Sequence, residues 1–339
     1  MRERARLSLC AALFGAAIIG ALALAGGQVQ ADDPNSAPNP YHVVDHWAKL
    51  PEGRAWGQPI GVEIDRDGTS VWVYDRCGAK TCEGSTLAPI QKFDASGKLV
   101  ASFGAGLINW PHGLGVDRDG NVWVTDGRAG NGRGQTAIKF SPDGRVLMTL
   151  GKPGVAGNGH DELNGPSDVL VAPNGDIYVA DGHGEKTNDR IVKYSPDGKF
   201  ITAWGHHGAE PGEFDVPHGL AMDSMGRLFV ADRANSRIQI FDPDGNFLGE
   251  WRGFGRPSSL AIRDDILYAT DGQSSNKVNA PFRRGIRIGS VKDGQVTAFI
   301  TPPGSGPNPE MAESVAVDKD GNVFAGFTES MDLKKYVKN

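Results

Sequence analysis

Short apolar stretches alternate with polar turns along most of this chain of 339 residues. Six segments share one pattern, in which an apolar strand, a turn that usually contains Asp-Gly or Asn-Gly, and a second apolar strand follow one another. This pattern is typical of a β-hairpin. The segments lie at residues 61–76, 113–127, 168–182, 219–233, 259–272 and 314–327.

A second hairpin follows most of these segments, as in AIKFSPDGRVLMTLG at residues 137–151. Four strands therefore recur at roughly forty to fifty-five residues, the period of a β-propeller blade. The sixth unit lacks its last strand, and residues 41–51 have the composition of that strand. Pairing the two ends of the chain closes the ring and removes exposed sheet edges. The sequence predicts an all-β, six-bladed β-propeller at residues 41–339, with its last blade closed by an N-terminal strand.

The first 31 residues have a different pattern from the repeats. MRERAR is basic, a long apolar run follows it, and Val29-Gln30-Ala31 offers a cleavage site of small residues. These features predict a secretory signal peptide at residues 1–31 and a periplasmic or secreted protein. The alternative is an uncleaved membrane anchor, although the run is barely long enough to span a bilayer. Residues 32–40, DDPNSAPNP, are expected to form a flexible leader.

The net charge limits the classes of partner, and the cysteine content indicates a disulfide. A formal net charge of −6 provides no basic surface for nucleic acid or anionic lipid. Cys10 lies in the signal peptide, which leaves Cys77 and Cys82. In an oxidising compartment this pair predicts a local disulfide, whereas a metal site would need two further ligands. We expect a monomer that has no nucleic-acid partner and no membrane contact after signal cleavage.

Two columns of the repeat have structural explanations. An aromatic residue recurs in all six units, which favours packing between blades over ligand stacking. These residues are Trp72, Trp123, Tyr178, Phe229, Tyr268 and Phe324. An aspartate ends the second strand in five units, where it is expected to bond the backbone of a turn. These residues are Asp75, Asp126, Asp181, Asp232 and Asp271.

A third column opens the first strand of each unit, and we call it the opening column. It contains Ile60, His112, Ser167, His218, Ser258 and Glu313. Its members are expected to face the central channel, and His112, His218 and Glu313 fall on blades two, four and six. Blades about 120° apart let these side chains converge on the axis and leave one side open. They are predicted to bind a divalent metal, with zinc suitable and iron compatible; the alternative is a chance recurrence within the repeat.

Residues that follow the second strands are expected at the same face of the propeller. Arg76 and Arg233 would place two guanidinium groups there for a substrate carboxylate. The alternative pairs both arginines with the strand-end aspartates. His183 is close enough in this frame to act as a general base or a supplementary ligand, or it is a solvated loop histidine. A bond between Cys77 and Cys82 would stiffen the loop that carries Arg76.

These motifs resemble known families. GRLFVADRANSRIQIFDPDGNF at residues 226–247 has the pattern of NHL repeats, which extends over nearly all of the mature chain. With WPHGLGVDRDGNVWVTD, SDVLVAPNGDIYVADG and VPHGLAMD, the chain looks like the peptidyl-α-hydroxyglycine α-amidating lyases. The resemblance implies a zinc lyase with three histidine ligands on alternate blades, of which two match His112 and His218. It also implies active-site arginines at Arg76 and Arg233.

The chain departs from that family at several positions. The third histidine ligand falls on Glu313, and the catalytic tyrosine falls on His183, whereas a methionine near the third ligand matches Met311. An aspartate that binds a structural calcium ion falls on Ser314, which argues against calcium. A carboxylate ligand weakens the Lewis acidity of the metal. An imidazole also titrates near pH 6.5, whereas a phenol titrates near pH 10.

The sequence therefore predicts an exported, metal-dependent lyase that cleaves a carbinolamide C–N bond to give an amide and glyoxylate. His183 would act as the base, and Arg76 and Arg233 would bind the carboxylate of a peptide or small-molecule substrate at the channel mouth. A non-catalytic NHL propeller that binds a peptide, glycan or protein is the second hypothesis. A lactonase-type hydrolase is the third, and it is less favoured because those sites resemble carboxylate-rich calcium cages.

Overall fold

A computed structural model describes residues 33–302 and 310–339, so the predicted signal peptide lies outside the described residues. The described residues form 24 β-strands and no helix. Within those same two ranges, no helix is long and apolar enough to cross a membrane. The strands form six antiparallel sheets of four strands each, which confirms the predicted six-bladed propeller.

Blades one to three follow the chain from inner to outer strand. Blade one contains β2 (Pro59–Ile64), β3 (Val71–Asp75), β4 (Ile90–Phe93) and β5 (Leu99–Phe103). Blade two contains β6 (Pro111–Val116), β7 (Val122–Asp126), β8 (Thr136–Phe140) and β9 (Val146–Leu150). Blade three contains β10 (Pro166–Val171), β11 (Ile177–Asp181), β12 (Arg190–Tyr194) and β13 (Phe200–Trp204).

Blades four and five repeat this order, and blade six combines both ends of the chain. Blade four contains β14 (Pro217–Met222), β15 (Leu228–Asp232), β16 (Arg237–Phe241) and β17 (Phe247–Trp251). Blade five contains β18 (Pro257–Arg263), β19 (Ile266–Asp271), β20 (Gly285–Ser290) and β21 (Val296–Ile300). Blade six contains β22 (Ala312–Val317), β23 (Val323–Phe327), β24 (Asp332–Lys338) and, as its outer strand, β1 (Tyr41–Val44).

Burial decreases from the middle of each blade toward its outer edge. All five residues of β7 are buried, whereas the residues of β5 alternate between exposed and half-buried positions. A strand covered by neighbouring sheets on both faces needs a continuous apolar run, and an edge strand needs only one apolar face. The aromatic column is buried between blades; Trp123, for example, packs in one cluster with Val169 and Ile177 of blade three. The packing interpretation of this column is confirmed.

The strand-end aspartates fix the segment that precedes each inner strand. All five are fully buried. In blade two, Asp126 accepts hydrogen bonds from the backbone N–H groups of Asn109 and Trp110, both at 2.7 Å. An arginine pairs with each of the other four aspartates, and these arginines are Arg54, Arg190, Arg237 and Arg287. Each strand-end aspartate thus helps to fix the segment that leads into an inner strand.

The segment expected to be a flexible leader makes specific contacts with blade five. The side-chain oxygen of Asn35 accepts hydrogen bonds from the Arg283 backbone and from the Arg287 guanidinium. The Phe299 backbone N–H donates to the Pro38 carbonyl. These bonds lead the chain to β1, where Tyr41 pairs with Lys338 of β24. In the loop after β3, Cys77 and Cys82 form the predicted disulfide.

Candidate metal centre

The opening column lies where every inner strand departs from regular pairing. In blade two the register between β6 and β7 shifts between Pro111 and Leu114, and each of the other blades has a shift at the equivalent place. A β-bulge re-aims the side chain it contains. The column residues line a common channel, as predicted; they are Ile60, His112, Ser167, His218, Ser258 and Glu313.

Neighbouring blades orient the two column histidines. His112 Nδ1 lies 2.6 Å from the carbonyl oxygen of Ser167, and His218 Nδ1 lies 2.8 Å from that of Ser258. A carbonyl only accepts hydrogen bonds, so each Nδ1 carries the proton and each Nε2 keeps a lone pair. Both Nε2 atoms are buried without a hydrogen-bond partner among the described residues. Metal-binding histidines usually have this arrangement, in which the other ring nitrogen donates its proton to a carbonyl or carboxylate oxygen.

The glycine that follows each histidine permits this contact between blades. A Cβ atom on Gly113 would lie 2.5 Å from the Ser167 carbonyl oxygen, and one on Gly219 would lie 2.6 Å from that of Ser258. Real Cβ atoms essentially never approach so closely. The Pro-His-Gly motif therefore combines a ligand with the residue that lets the next inner strand reach it.

His183 joins the two column histidines, although it comes from a loop after β11. Its backbone N–H donates to the Gly165 carbonyl at 2.7 Å, which holds the loop over the channel. His112, His183 and His218 each offer one nitrogen, and these three atoms lie within 4.8 Å of one another. Burial lowers the pKa of all three imidazoles, and their mutual proximity lowers that of His112 and His183 further. The described site therefore contains three neutral histidines.

Glu313 lies beside this group and contacts both a histidine and an arginine. Its Oε1 atom is 3.2 Å from His218 Nε2 and accepts a hydrogen bond from Arg233 Nη1 at 3.0 Å. Burial raises the pKa of Glu313, whereas the positive charge of Arg233 lowers it and keeps the carboxylate ionised. Arg233 Nη2 also lies 3.3 Å from His183 Nε2. Arg233 thus bridges Glu313 and His183, and it is not paired with a strand-end aspartate.

The contact between His218 and Glu313 brings two hydrogen-bond acceptors together. His218 Nε2 carries a lone pair, and Glu313 is a buried carboxylate, so no proton lies between them. Two ligands of one tetrahedral zinc ion are separated by roughly 3.3 Å, given metal–ligand bonds of about 2.0–2.1 Å. The observed 3.2 Å matches this separation. The separation of His218 Nε2 and Glu313 Oε1 therefore fits two ligands of one divalent ion. The described residues whose ligand atoms all lie within 4.8 Å of one another are His112, His183 and His218.

Above the histidines, a cavity of about 220 Å³ opens to the surface. Arg76 lines it and donates hydrogen bonds to the Pro111 carbonyl and to the Gln58 side chain. Its guanidinium carbon lies 4.0 Å from the centre of the Trp110 ring. Burial lowers the pKa of Arg76 to about 10, and the group stays charged at neutral pH. Arg76 also points into the site and away from the strand-end aspartates.

Sequence reasoning missed two residues of this cavity. Trp110 precedes the Pro-His-Gly motif of blade two and contacts the rings of His112 and His183, each at 5.1 Å between centroids. Arg128 stacks on the same indole at 3.9 Å. The other units have no aromatic residue at the position of Trp110, and this exception within the repeat could have identified it.

Comparison with known proteins identifies the class first. A family model described as NHL repeat matches residues 214–241. The streptogramin B lyase structure superimposes with a TM-score of 0.55 at 14% identity, covering 88% of this chain and 98% of that one. At that identity the likeness shows the fold alone. The chain is a six-bladed β-propeller in which residues 214–241 match the NHL repeat.

Sequence relatives then narrow the class. The chain is 32% identical to peptidyl-glycine alpha-amidating monooxygenase A of Xenopus laevis over 330 residues, or 87% of this chain and 34% of that protein. It is 28% identical to peptidyl-alpha-hydroxyglycine alpha-amidating lyase 2 of Drosophila melanogaster. The match covers 71% of this chain and 63% of that protein. The chain spans about a third of the length of the Xenopus protein. The chain is thus similar to proteins named peptidyl-α-hydroxyglycine α-amidating lyase.

Proposed function

We propose that this protein is an exported, metal-dependent lyase that converts a peptidyl-α-hydroxyglycine into a peptide amide and glyoxylate. The contact that carries the proposal joins two buried acceptors, His218 Nε2 and Glu313 Oε1, at 3.2 Å. A cation between them would remove the repulsion. The names of the sequence relatives support this reaction over a purely binding role.

His112, His218 and Glu313 would hold the ion, which we expect to be zinc, with iron as the alternative. Lewis acidity that acidifies the substrate hydroxyl would come from this divalent ion. The buried carbonyls of Ser167 and Ser258 keep both imidazoles in the tautomer that offers Nε2. Arg233 keeps Glu313 ionised and in place through its 3.0 Å hydrogen bond.

His183 would move the proton. A guanidinium only donates hydrogen bonds, so His183 Nε2, which faces Arg233, is the unprotonated nitrogen. Burial and the nearby positive charges hold the pKa of His183 well below its usual value. The imidazole would take the hydroxyl proton as the carbonyl group forms, and pass it to the nitrogen as the C–N bond breaks. The bonding pair stays on nitrogen, so no oxidant or water is consumed.

Arg76 would bind the substrate carboxylate. It lies in the mouth cavity with His112 and His183 and has no carboxylate partner among the residues described. A bidentate guanidinium–carboxylate pair would fix the hydroxyglycine carbon over the imidazoles. Export to the periplasm or the medium is part of the proposal, and the Cys77–Cys82 disulfide supports it, because such bonds persist in oxidising compartments.

The test uses purified full-length protein and a hydroxyglycine-extended peptide. We expect glyoxylate and peptide amide in equal amounts, loss of both after treatment with a chelator, and recovery on addition of zinc. Ser258→Ala is the matched control for His218→Ala, because both positions belong to the opening column. The proposal would be contradicted if the metal-loaded protein released glyoxylate no faster than the peptide does in the absence of protein.

A further inference from the structure

We propose that Arg128 forms a second anion subsite at the rim of the mouth cavity, and that this site prefers ligands with two anionic groups. The ligand class is an α-hydroxy acid that carries a further carboxylate, such as a hydroxyglycine preceded by an aspartate or glutamate. The first anionic group rests on the proposed function, in which Arg76 binds the hydroxyglycine carboxylate.

The two guanidinium groups share one aromatic support. The Cζ atoms of Arg76 and Arg128 lie 4.0 Å and 3.9 Å from the centre of the Trp110 ring. Both arginines and Trp110 line the same cavity of about 220 Å³. Arg76 is 7% exposed, whereas Arg128 is solvent-exposed. The cavity therefore presents one cation at its base and another at its rim.

Neither cation is neutralised within the described part of the chain. Arg76 donates to a backbone carbonyl and to an amide, which carry no charge. Arg128 forms no ion pair within 4.0 Å among the residues described. Glu313 is the one acid that lines this cavity, and it is already paired with Arg233. A ligand with a single carboxylate would therefore leave one of the two guanidinium groups unpaired.

Arg233, for which the sequence suggested the same role as Arg76, already has an acidic partner. Its Nη1 and Nη2 atoms face Glu313 and His183. The charge of Arg233 is already compensated by Glu313, so a substrate carboxylate would gain less from it than from a cation without an acidic partner. Binding of anions thus falls to Arg76 and Arg128, the two arginines that stack on Trp110.

Stacking also makes Arg128 different from an ordinary surface arginine. A guanidinium held on an indole has lost part of its rotamer freedom before a ligand arrives, so less entropy is lost on binding. Since both Cζ atoms lie about 4 Å from one ring centre, they are no more than about 8 Å apart. Neighbouring residues of a peptide have Cα atoms about 3.8 Å apart. The side chain of an acidic residue next to hydroxyglycine can therefore span the two arginines.

The first test measures binding without turnover. Calorimetry on the metal-loaded protein would compare glycolate with malate, which share an α-hydroxy carboxylate and differ in the second carboxylate. We expect malate to bind about tenfold more tightly than glycolate, as one partly exposed charge-assisted contact allows. Arg128→Gln should remove most of this difference. Arg145→Gln, at an exposed arginine of the same blade, should preserve it.

The second test uses turnover of peptides that differ only in the residue before hydroxyglycine. In the wild type we expect the KM of the Asp peptide to be lower, and that of the Lys peptide to be higher, than the KM of the Ala peptide. In Arg128→Gln the ratios of these KM values to that of the Ala peptide should approach one. If no peptide turns over but the malate preference depends on Arg128, the reaction is wrong and the subsite stands. If peptides turn over and Arg128→Gln leaves both the KM ratios and the malate preference intact, the subsite is wrong.

Discussion

Even and odd blades of this propeller share one backbone but present different chemistry to the channel. Blades two, four and six place His112, His218 and Glu313 in the opening column, whereas blades one, three and five place Ile60, Ser167 and Ser258 there. All six inner strands begin with the same irregular register. The repeat thus determines where each residue of the opening column lies, and the type of side chain determines which chemistry that residue can perform.

The odd blades still contribute to the site through their backbone. Ser167 and Ser258 accept the Nδ1 protons of the two histidines with their carbonyl oxygens. The Ser167 hydroxyl is turned away and donates to the Pro217 carbonyl at 2.6 Å. Even blades therefore supply the proposed ligands of the opening column, and odd blades supply the carbonyls that orient its two histidines. This division can be tested by changing one member of each kind.

The largest effect is expected from His218→Ala. Loss of a proposed ligand should lower the bound metal well below one ion per chain and should remove most of the proposed lyase activity. Ser258→Ala keeps the backbone carbonyl and should retain the metal. Elemental analysis of both variants checks this prediction, with circular dichroism to confirm folding. Equal metal content in the two variants would remove the distinction between even and odd blades.

A smaller effect is expected for Glu313→Gln in metal-free protein. The amide cannot neutralise Arg233, which is 7% exposed, so a buried charge loses its partner. We expect the free energy of unfolding to fall by about 3 kcal/mol. Glu329→Gln is the matched control, because Glu329 pairs with Arg284 at the surface and should cost less than about 1 kcal/mol. Denaturant titration measures both values.

Ser167→Ala should have a modest effect that separates its hydroxyl from its carbonyl. The variant loses the hydrogen bond to Pro217 but keeps the carbonyl that orients His112. We expect a loss of about 1 kcal/mol in stability and no change in bound metal. A clear loss of metal would indicate that the hydroxyl itself helps to position His112.

A last prediction concerns pH and Asp168, next to Ser167 in the channel. Burial raises the pKa of Asp168 to about 7, and the nearby Glu63 acts in the same direction against two backbone hydrogen bonds. The folded protein therefore holds a proton between about pH 4 and pH 7 that the unfolded chain has lost, and stability falls as pH rises through this window. Asp168→Asn should flatten that fall in denaturant titrations at about pH 5 and pH 7. Glu63, whose pKa burial also raises to about 7, should leave a residual slope.

Much of this architecture could be predicted from the repeat, because every blade packs against its neighbours in the same way. The aromatic column, the strand-end aspartates and the opening column could be read from their recurrence. Recurrence does not reveal Trp110 and Arg128, because each occurs in one unit; for Trp110 the signal is its departure from the repeat. The bridge from Arg233 to Glu313 and His183 also escaped prediction, because it joins three blades and no spacing along the chain encodes it.

The pairing of β1 with β24 has a further consequence for the order of assembly. It joins residues from opposite ends of the propeller, as in the pair Tyr41 and Lys338, and such distant contacts form slowly. Glu313 lies on β22 of that same sheet, whereas the two histidines lie on sheets built from local segments. The proposed ligand set therefore includes a residue of the sheet whose strands come from both ends of the chain. An ion bound by all three blades would select the closed ring and stabilise it by mass action.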